Sequence, residues 1–234
     1  MDLAKKTNAS YCLTSENFQS FLPNNCKAII TDKVLLHTAQ ITKIFYPDSV
    51  TDEYDNTVKD IYETELKNKV KFGKNVLIGE NVKIGTNCLI GHNSIIEKNV
   101  NIGDNCSIGS NVIIRNSFIK NNVHILDGCI IGKKGFGFFP GKSKNIRYPH
   151  VGSVLIGDNV EIGCNNTIDR GSLSNTIIGD GTSVPLILFC LMFSDFISDF
   201  ISLTVATFAP DNFDTLTLIS FSVYSNSVRL NSSK

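Results

Sequence analysis

Residues 76–111 decide the fold, because they read VLIGEN, VKIGTN, CLIGHN, SIIEKN, VNIGDN and CSIGSN in unbroken succession. An aromatic or aliphatic residue stands at every sixth position from Phe72 to Ile114, and Gly usually follows it. Val, Cys or Ser usually occupies the place two residues earlier. A helix repeats about every 3.6 residues and a strand about every 2 residues, so neither element explains a period of six.

A triangular coil does explain this period. Each unit of six supplies one flat side and one corner, with the aliphatic residue pointing inward and Gly or Asn at the corner, where the backbone often needs a positive φ. Three units close one coil, and successive coils stack through parallel ladder bonds. One residue is dropped after Ile114, and the period resumes at Ile119. The sequence therefore predicts an all-β-dominated fold, a left-handed parallel β-helix, over residues 70–184.

The cysteines and the charge balance exclude several function classes. Three of the seven cysteines, Cys88, Cys106 and Cys129, occupy the small inward position of the repeat, so we expect small buried hydrophobes rather than reactive thiols or metal ligands. No metal site is predicted. Basic and acidic residues balance at 22 each, which argues against a nucleic-acid partner. Scattered cysteines and the absence of a signal-peptide pattern predict a cytoplasmic protein.

Two insertions interrupt the repeat, and insertions in solenoids often build the binding surface. The first, residues 133–153, reads KKGFGFFPGKSKNIRYPHVGS. Its Phe136 and Phe138, with the surrounding basic residues, could cradle an anionic and partly apolar ligand such as a nucleotide sugar or an acyl chain. The alternative is a solvated loop whose phenylalanines cover the solenoid or pack against a neighbouring subunit.

The second insertion, residues 169–175, reads DRGSLSN. Asp169, Arg170 and Asn175 are candidate substrate-binding residues, because a polar corner of this kind could hold a polar substrate. The same residues could equally form a local salt bridge and a turn.

The two ends of the chain lack the repeat. Residues 1–50 predict a partial α/β element, with strands at 10–13 and 27–31 and a helix at 33–46 that stops before Pro47. The polar residues 51–69 are interpreted as a linker.

Residues 185–234 contain only two basic residues and depart from the repeat, so this segment is interpreted as a tail of unknown structure. Residues 186–209 have the length of a membrane span but contain Asp195 and Asp199 and lack flanking Lys or Arg. The tail could instead cap the open solenoid end, or be sequence that did not evolve for this fold.

The hexapeptide array, the run GKKGFGF at 132–138 and the run VLIGDNVEIGCNNTIDRGSLSNTIIGDGT at 154–182 together resemble the UDP-3-O-acylglucosamine N-acyltransferase family. The resemblance covers about residues 4–184. It implies transfer of a 3-hydroxyacyl chain from acyl carrier protein to the 2-amino group of UDP-3-O-acylglucosamine, in lipid A biosynthesis. It also implies a homotrimer with active sites between neighbouring solenoids and no cofactor other than the carrier-protein thioester.

The resemblance ends at Val184, before the coil that carries the family's general base. The family continues with a coil of the type I-D-N-x-x-x-I-A-H, whose histidine is the general base, whereas Val184 is the last residue here that fits. No histidine follows His150, which lies outside the repeat frame and is not expected to replace that base. The family's uracil-stacking aromatics lie before the point where this resemblance starts. We therefore expect a chain truncated at both ends, without a catalytic residue and inactive.

Two other hypotheses remain open. One is a non-catalytic solenoid that binds sugar nucleotide or pairs with a full-length paralogue. The other is a different hexapeptide enzyme, such as an acetyltransferase that uses coenzyme A. The GFGF and TIDRG segments fit the lipid A enzyme better than an acetyltransferase.

Overall fold

The hexapeptide region forms three parallel sheets around a single apolar core. The computed structural model describes residues 2–140, 144–185, 202–207 and 217–222. Within this part of the chain the short strands of each sheet stack coil upon coil, and the inward aliphatic residues fill the space between the sheets. The predicted left-handed parallel β-helix is confirmed.

Residues 2–50 form a small α/β element. Its regular elements are helix α1 (Asp2–Lys5), strand β1 (Tyr11–Thr14), strand β2 (Lys27–Ile30) and helix α2 (Val34–Phe45). β1 and β2 pair in parallel, and Ala39 is the buried residue of α2. The helix ends just before Pro47, whose ring disfavours helical geometry in the preceding residue. This element therefore has a thin core of its own.

The solenoid contains mostly two- or three-residue strands, because each hexapeptide leaves its other residues for a corner. In chain order the strands are β3 (Lys59–Asp60), β4 (Lys71–Phe72), β5 (Leu77–Ile78), β6 (Lys83–Ile84), β7 (Leu89–Ile90), β8 (Ile95–Ile96), β9 (Asn101–Ile102), β10 (Ser107–Ile108), β11 (Ile113–Ile114), β12 (Ser117–Ile119), β13 (His124–Ile125), β14 (Ile130–Lys134), β15 (Phe138–Phe139), β16 (Ile146–Arg147), β17 (Val154–Ile156), β18 (Glu161–Ile162), β19 (Thr167–Arg170), β20 (Thr176–Ile178) and β21 (Ser183–Val184).

These strands define three faces. The first face has the order β21-β18-β13-β10-β7-β4, the second β19-β14-β11-β8-β5-β3 and the third β20-β17-β12-β9-β6. Ser107 lies opposite Leu89 on one side and His124 on the other. The first spacing is three hexapeptides, and the second is one residue shorter because of the residue dropped after Ile114.

Asparagine, rather than glycine, occupies most of the strained corner positions. Asn residues at the corners have φ between 47° and 62°, whereas among the described glycines only Gly128, Gly132 and Gly181 have positive φ. Both residue types therefore occupy positive-φ positions, as predicted, but asparagine supplies most of them. The repeat glycines meet a different requirement, because a Cβ on Gly91 would stand 2.5 Å from the backbone nitrogen of Ser110 in the next coil. They allow successive coils to approach closely.

The core is a column of inward side chains. Ile96, Ile114 and Ile131 have no exposed surface, and burial of such a side chain contributes about 1.5–3 kcal/mol. The three repeat cysteines, Cys88, Cys106 and Cys129, are buried and free, as predicted. Burial raises the pKa of the Cys106 thiol to about 11.

Residues 51–69 differ from the predicted linker. They form β3, which pairs antiparallel with β5, and two 3₁₀ turns at Ile61–Glu63 and Glu65–Asn68. Ile61 is 1% exposed and belongs to the solenoid core. The polar composition concealed this role, because only Ile61 and Leu66 need to face the first coil. The segment covers the N-terminal end of the solenoid.

The tail is described only at strands β22 (Ser202–Thr207) and β23 (Thr217–Ser222), which pair antiparallel. The predicted alternatives for residues 185–234 concern a tail that otherwise lies outside the described residues, at 186–201, 208–216 and 223–234. Across the part of the chain that is described, no helix is both long enough and apolar enough to cross a membrane.

Candidate functional site

A cleft of about 650 Å³ opens between the segment 45–56 and one corner of the solenoid. Its walls come from three parts of the chain: the segment itself, the corner residues that follow the second face, and the returning end of the first insertion. The lining side chains that carry the argument are Asp52, Asp55, Glu97, Lys134, His150 and Arg170.

Asp52 joins the cleft segment to the first insertion. Its carboxylate accepts hydrogen bonds from the Arg147 guanidinium and lies 3.5 Å from the Lys133 ammonium. The hydrogen bond from Arg147 holds the pKa of this carboxyl below its ordinary value. Arg147 belongs to β16, which forms an antiparallel hairpin with β15. One carboxylate thus connects the segment 45–56, the insertion hairpin and the solenoid strand that carries Lys133.

Asp55 fixes the other end of the same segment. Its buried carboxylate accepts from the backbone nitrogen of Lys98 at 2.7 Å and from the Thr57 hydroxyl at 2.8 Å. Burial alone would raise its pKa, but the hydrogen bonds from Thr57 and Lys98 outweigh burial and lower it. Thr57 in turn accepts from the backbone of Glu80 at 3.0 Å. Residues 55–57 therefore supply hydrogen-bond acceptors to two successive coils.

At another corner, the solenoid supplies equivalent acceptors from its own next coil. Thr86 donates its backbone N–H to Asp104 at 2.6 Å, and Asp104 donates to Asn121 at 2.8 Å. Asp55 therefore accepts the same kind of backbone hydrogen bond as a corner residue of the repeat. This hydrogen bond holds the segment 45–56 in a defined position against the solenoid.

An ion pair between Arg115 and Glu97 lines the cleft. Arg115 lies 2.9 Å from Glu97, and the two side chains are 18% and 16% exposed. Burial raises the pKa of Glu97 despite the attraction of Arg115. The Arg115 Nε atom is buried and has no hydrogen-bond partner among the described residues.

Two further cations, Lys134 and Arg170, face the cleft from neighbouring coils. Lys134 donates to the backbone carbonyls of Asp48 and Thr51. Arg170 donates to the carbonyls of Gly152 and Val151, the second at 2.9 Å. Each cation thereby ties a loop to the solenoid wall.

His150 is 9% exposed and lies at the rim where the insertion returns to the solenoid. Its Nδ1 atom is 3.1 Å from the Tyr148 carbonyl, and burial lowers the pKa of the ring. A Cβ on Gly135 would stand 2.8 Å from the Nε2 atom. The imidazole therefore packs directly against the insertion backbone, and a side chain at position 135 would require the ring to shift.

Of the five predicted substrate-binding residues, only Arg170 lines the cleft in the described part of the chain. Phe136 is 94% exposed and meets Phe138 edge to face, with ring centroids 4.8 Å apart. Asp169 is exposed, while the Asn175 side chain accepts from the Ser153 backbone at 2.8 Å. The binding roles of these residues remain predictions.

Sequence reasoning missed Asp52 and Asp55. Asp52 binds Arg147, which is 95 residues away in the chain, and Asp55 binds Lys98, which is 43 residues away. No local sequence pattern therefore predicts either contact. The arrangement as a whole can hold a polar ligand, because charged donors and acceptors line an open cleft whose walls are braced by hydrogen bonds.

The stacked hexapeptide coils and their two insertions define a class of protein, the hexapeptide-repeat β-helix. A family model described as the GMPPB C-terminal domain matches residues 72–135.

Within that class the chain is similar to UDP-3-O-acylglucosamine N-acyltransferases. The protein of that name from Dechloromonas aromatica (strain RCB) is 56% identical over 52 residues, and the one from Rhizobium johnstonii is 52% identical over 54 residues. These matches cover 22% and 23% of this chain and 15% of each relative. The resemblance predicted from the sequence is confirmed over that part.

A solved structure also overlaps the chain. It is AntD, an N-acyltransferase from Bacillus cereus in complex with dTDP and 3-hydroxybutyryl-CoA. The overlap covers 56% of this chain and 77% of AntD, with 18% identity and a TM-score of 0.28.

Proposed function

We propose that this chain derives from an N-acyltransferase that moves a 3-hydroxyacyl chain from acyl carrier protein to the 2-amino group of UDP-3-O-acylglucosamine, in cytoplasmic lipid A biosynthesis. The observation that carries the proposal is the identity of 52–56% with enzymes of that name. The charged cleft beside the first insertion supports it, since a sugar nucleotide needs polar donors and an open volume.

We further propose that the 234-residue chain binds the acceptor without acylating it. Attack of an amine on a thioester needs a group that accepts a proton near neutral pH, a task that suits imidazole. The family's histidine belongs to a coil that has no counterpart after Val184, and residues 151–234 contain no histidine. His150 packs against the insertion backbone and the Tyr148 carbonyl.

The absence of histidine from residues 151–234 also favours a second candidate, a non-catalytic solenoid module. A chain that keeps the coils and the cleft but lacks the base could still bind sugar nucleotide or associate with an active copy. The two candidates differ in origin but share the expectation of binding without turnover.

A homotrimer is part of the proposal, and the third face offers a surface for it. Phe118, Leu155 and Ile177 lie in register on β12, β17 and β20. Phe118 is 46% and Ile177 71% exposed. A continuous apolar stripe of this kind on a flat sheet suits burial against a neighbouring copy. Replacement of Ile177 by Lys should therefore lower the mass measured by light scattering, whereas Lys71→Glu on the first face should not.

The proposal is tested by measuring binding and turnover in one preparation. Calorimetry should detect UDP-3-O-acylglucosamine binding, and mass spectrometry should detect no amide product after addition of 3-hydroxyacyl carrier protein. Clear turnover would overturn the inactive state. An absence of acceptor binding by the folded chain would overturn the substrate class.

A further inference from the structure

Lys134 and Arg170 stand side by side on adjacent coils. They are paired in register between β14 and β19, just beyond a bulge in the ladder. Both side chains line the cleft. Burial is the largest cause of the lowered pKa of Lys134, and the nearby Arg170 guanidinium lowers it further. Two like charges are therefore held together at one wall.

Neither cation has a carboxylate partner in the described part of the chain. Other cations around the cleft do: Arg115 pairs with Glu97, while Lys133 and Arg147 share Asp52. Asp52 also attracts Lys134, but its oxygens are taken up by those two partners. The positive charge of the pair is thus left uncompensated, and a partly buried charge without a counter-ion is costly.

Backbone carbonyls orient the two cations without neutralising them. Lys134 uses two of its three N–H donors on Asp48 and Thr51. Arg170 uses Nε and Nη2 on Gly152 and Val151, which leaves the donors of Nη1 without a protein partner in the described chain. The Arg170 Nη1 atom is not among the buried atoms that lack a partner, so solvent or a ligand can reach it.

We propose that Lys134 and Arg170 form an anion site that binds a phosphate group. A guanidinium supplies a fork that matches phosphate oxygens, and an ammonium adds a point charge beside it. The cleft of about 650 Å³ has room for the molecule that carries the phosphate. The phosphate could belong to a nucleotide or to a phosphopantetheine arm. The site deepens the proposed function but does not require acyl transfer.

The test uses the full chain and compares phosphorylated with matched unphosphorylated probes. Calorimetry at low salt would measure pyrophosphate, UDP and 4′-phosphopantetheine against uridine and pantetheine. We expect the phosphorylated probes to bind about 10-fold or more tightly, and Arg170→Met to remove that advantage, since hydrogen bonds to charged groups are stronger than those between neutral groups. Tighter binding of UDP indicates a nucleotide source, and tighter binding of 4′-phosphopantetheine indicates a carrier source.

Lys120→Met is the matched control. Lys120 lies outside the cleft and pairs with Asp158 at 3.4 Å and Asp180 at 3.1 Å. Its replacement should leave probe binding unchanged. If Lys120→Met weakens binding as much as Arg170→Met does, general charge rather than this site is responsible, and the proposal fails.

Because Lys134 and Arg170 also brace loops, a second measurement avoids substitution. Acetylation of lysines in the wild-type chain, followed by mass spectrometry, should show that pyrophosphate slows modification of Lys134 but not of Lys120. Equal rates with and without pyrophosphate would overturn the site. If pyrophosphate protects Lys134 while UDP-3-O-acylglucosamine does not bind, the anion site stands and the proposed acyltransferase substrate fails.

Discussion

Gly91 tests the claim that repeat glycines serve close coil stacking. An alanine Cβ at this position would stand 2.4 Å from the Gly109 carbonyl carbon and 2.5 Å from Ser110 N. Ordinary van der Waals contact begins near 3.4 Å, so the two coils would have to separate by about 1 Å. Both opposing atoms are backbone atoms, and no side-chain rotation can relieve the clash.

The cost follows from the bonds beside this corner. Gly91 donates to Ile108 at 2.8 Å and Asn111 donates to His92 at 2.8 Å. A displacement of this size would take both bonds beyond normal length, and each is worth about 1 kcal/mol. With the added packing strain of about 1–3 kcal/mol, we expect Gly91→Ala to lower the free energy of unfolding by about 3–5 kcal/mol.

Gly179 provides the matched control in the last described coil. A Cβ there would meet only the Thr182 hydroxyl, at 3.9 Å. We expect Gly179→Ala to leave stability unchanged or to raise it by about 0.4–1 kcal/mol, since alanine restricts the unfolded chain. Urea unfolding followed by circular dichroism measures both variants. Equal stability of the two variants would refute the stacking explanation.

Three further predictions concern a corner, an acidic clasp and the buried thiols. Asn111 has φ of 57° and an exposed side chain, so Asn111→Ala should cost about 1–2 kcal/mol in thermal or urea unfolding, and Asn111→Gly should cost less. Because the pKa of Asp55 is lowered in the folded chain, its carboxylate stabilises the fold above its unfolded pKa of about 3.9. This stabilisation is lost as the pH falls through the folded pKa. Asp55→Asn should therefore lower the free energy of unfolding at pH 7 and reduce the loss of stability at acid pH. An unchanged loss of stability at acid pH would contradict the role given to the Asp55 hydrogen bonds. Alkylation at pH 8 should spare Cys88, Cys106 and Cys129 until urea is added, because burial raises the pKa of each thiol, and mass spectrometry would reveal any early labelling.

The solenoid could be predicted from the sequence because each hexapeptide repeats the same information. Inward residues such as Ile96 and Ile114 recur at a fixed period, and every coil contacts the next in the same way. The role of glycine was harder to assign, since both a positive φ and a close approach favour the residue without a side chain. The three-dimensional structure separates the two causes: Gly91 meets the backbone of the next coil, whereas Gly128 has a φ of 77°.

The cleft could not be predicted because its walls come from distant parts of the chain. Asp55 resembles any polar residue of a linker until the backbone of Lys98 is placed beside it. Arg170 was selected from its insertion, but its pairing with Lys134 depends on a ladder that crosses the whole first insertion. Phe136 shows the opposite case, since the sequence marks it and the structure leaves it 94% exposed.

The central proposal is that this chain derives from an N-acyltransferase and that its 234 residues bind the acceptor without acylating it. The most direct measurement is amide product formation, by mass spectrometry, for the chain itself and for a graft in which the residues after Val184 are exchanged for those of the Dechloromonas aromatica relative. We predict no product from the unmodified chain and product from the graft. Product from the unmodified chain, or none from a folded graft that binds the acceptor, would contradict the claim.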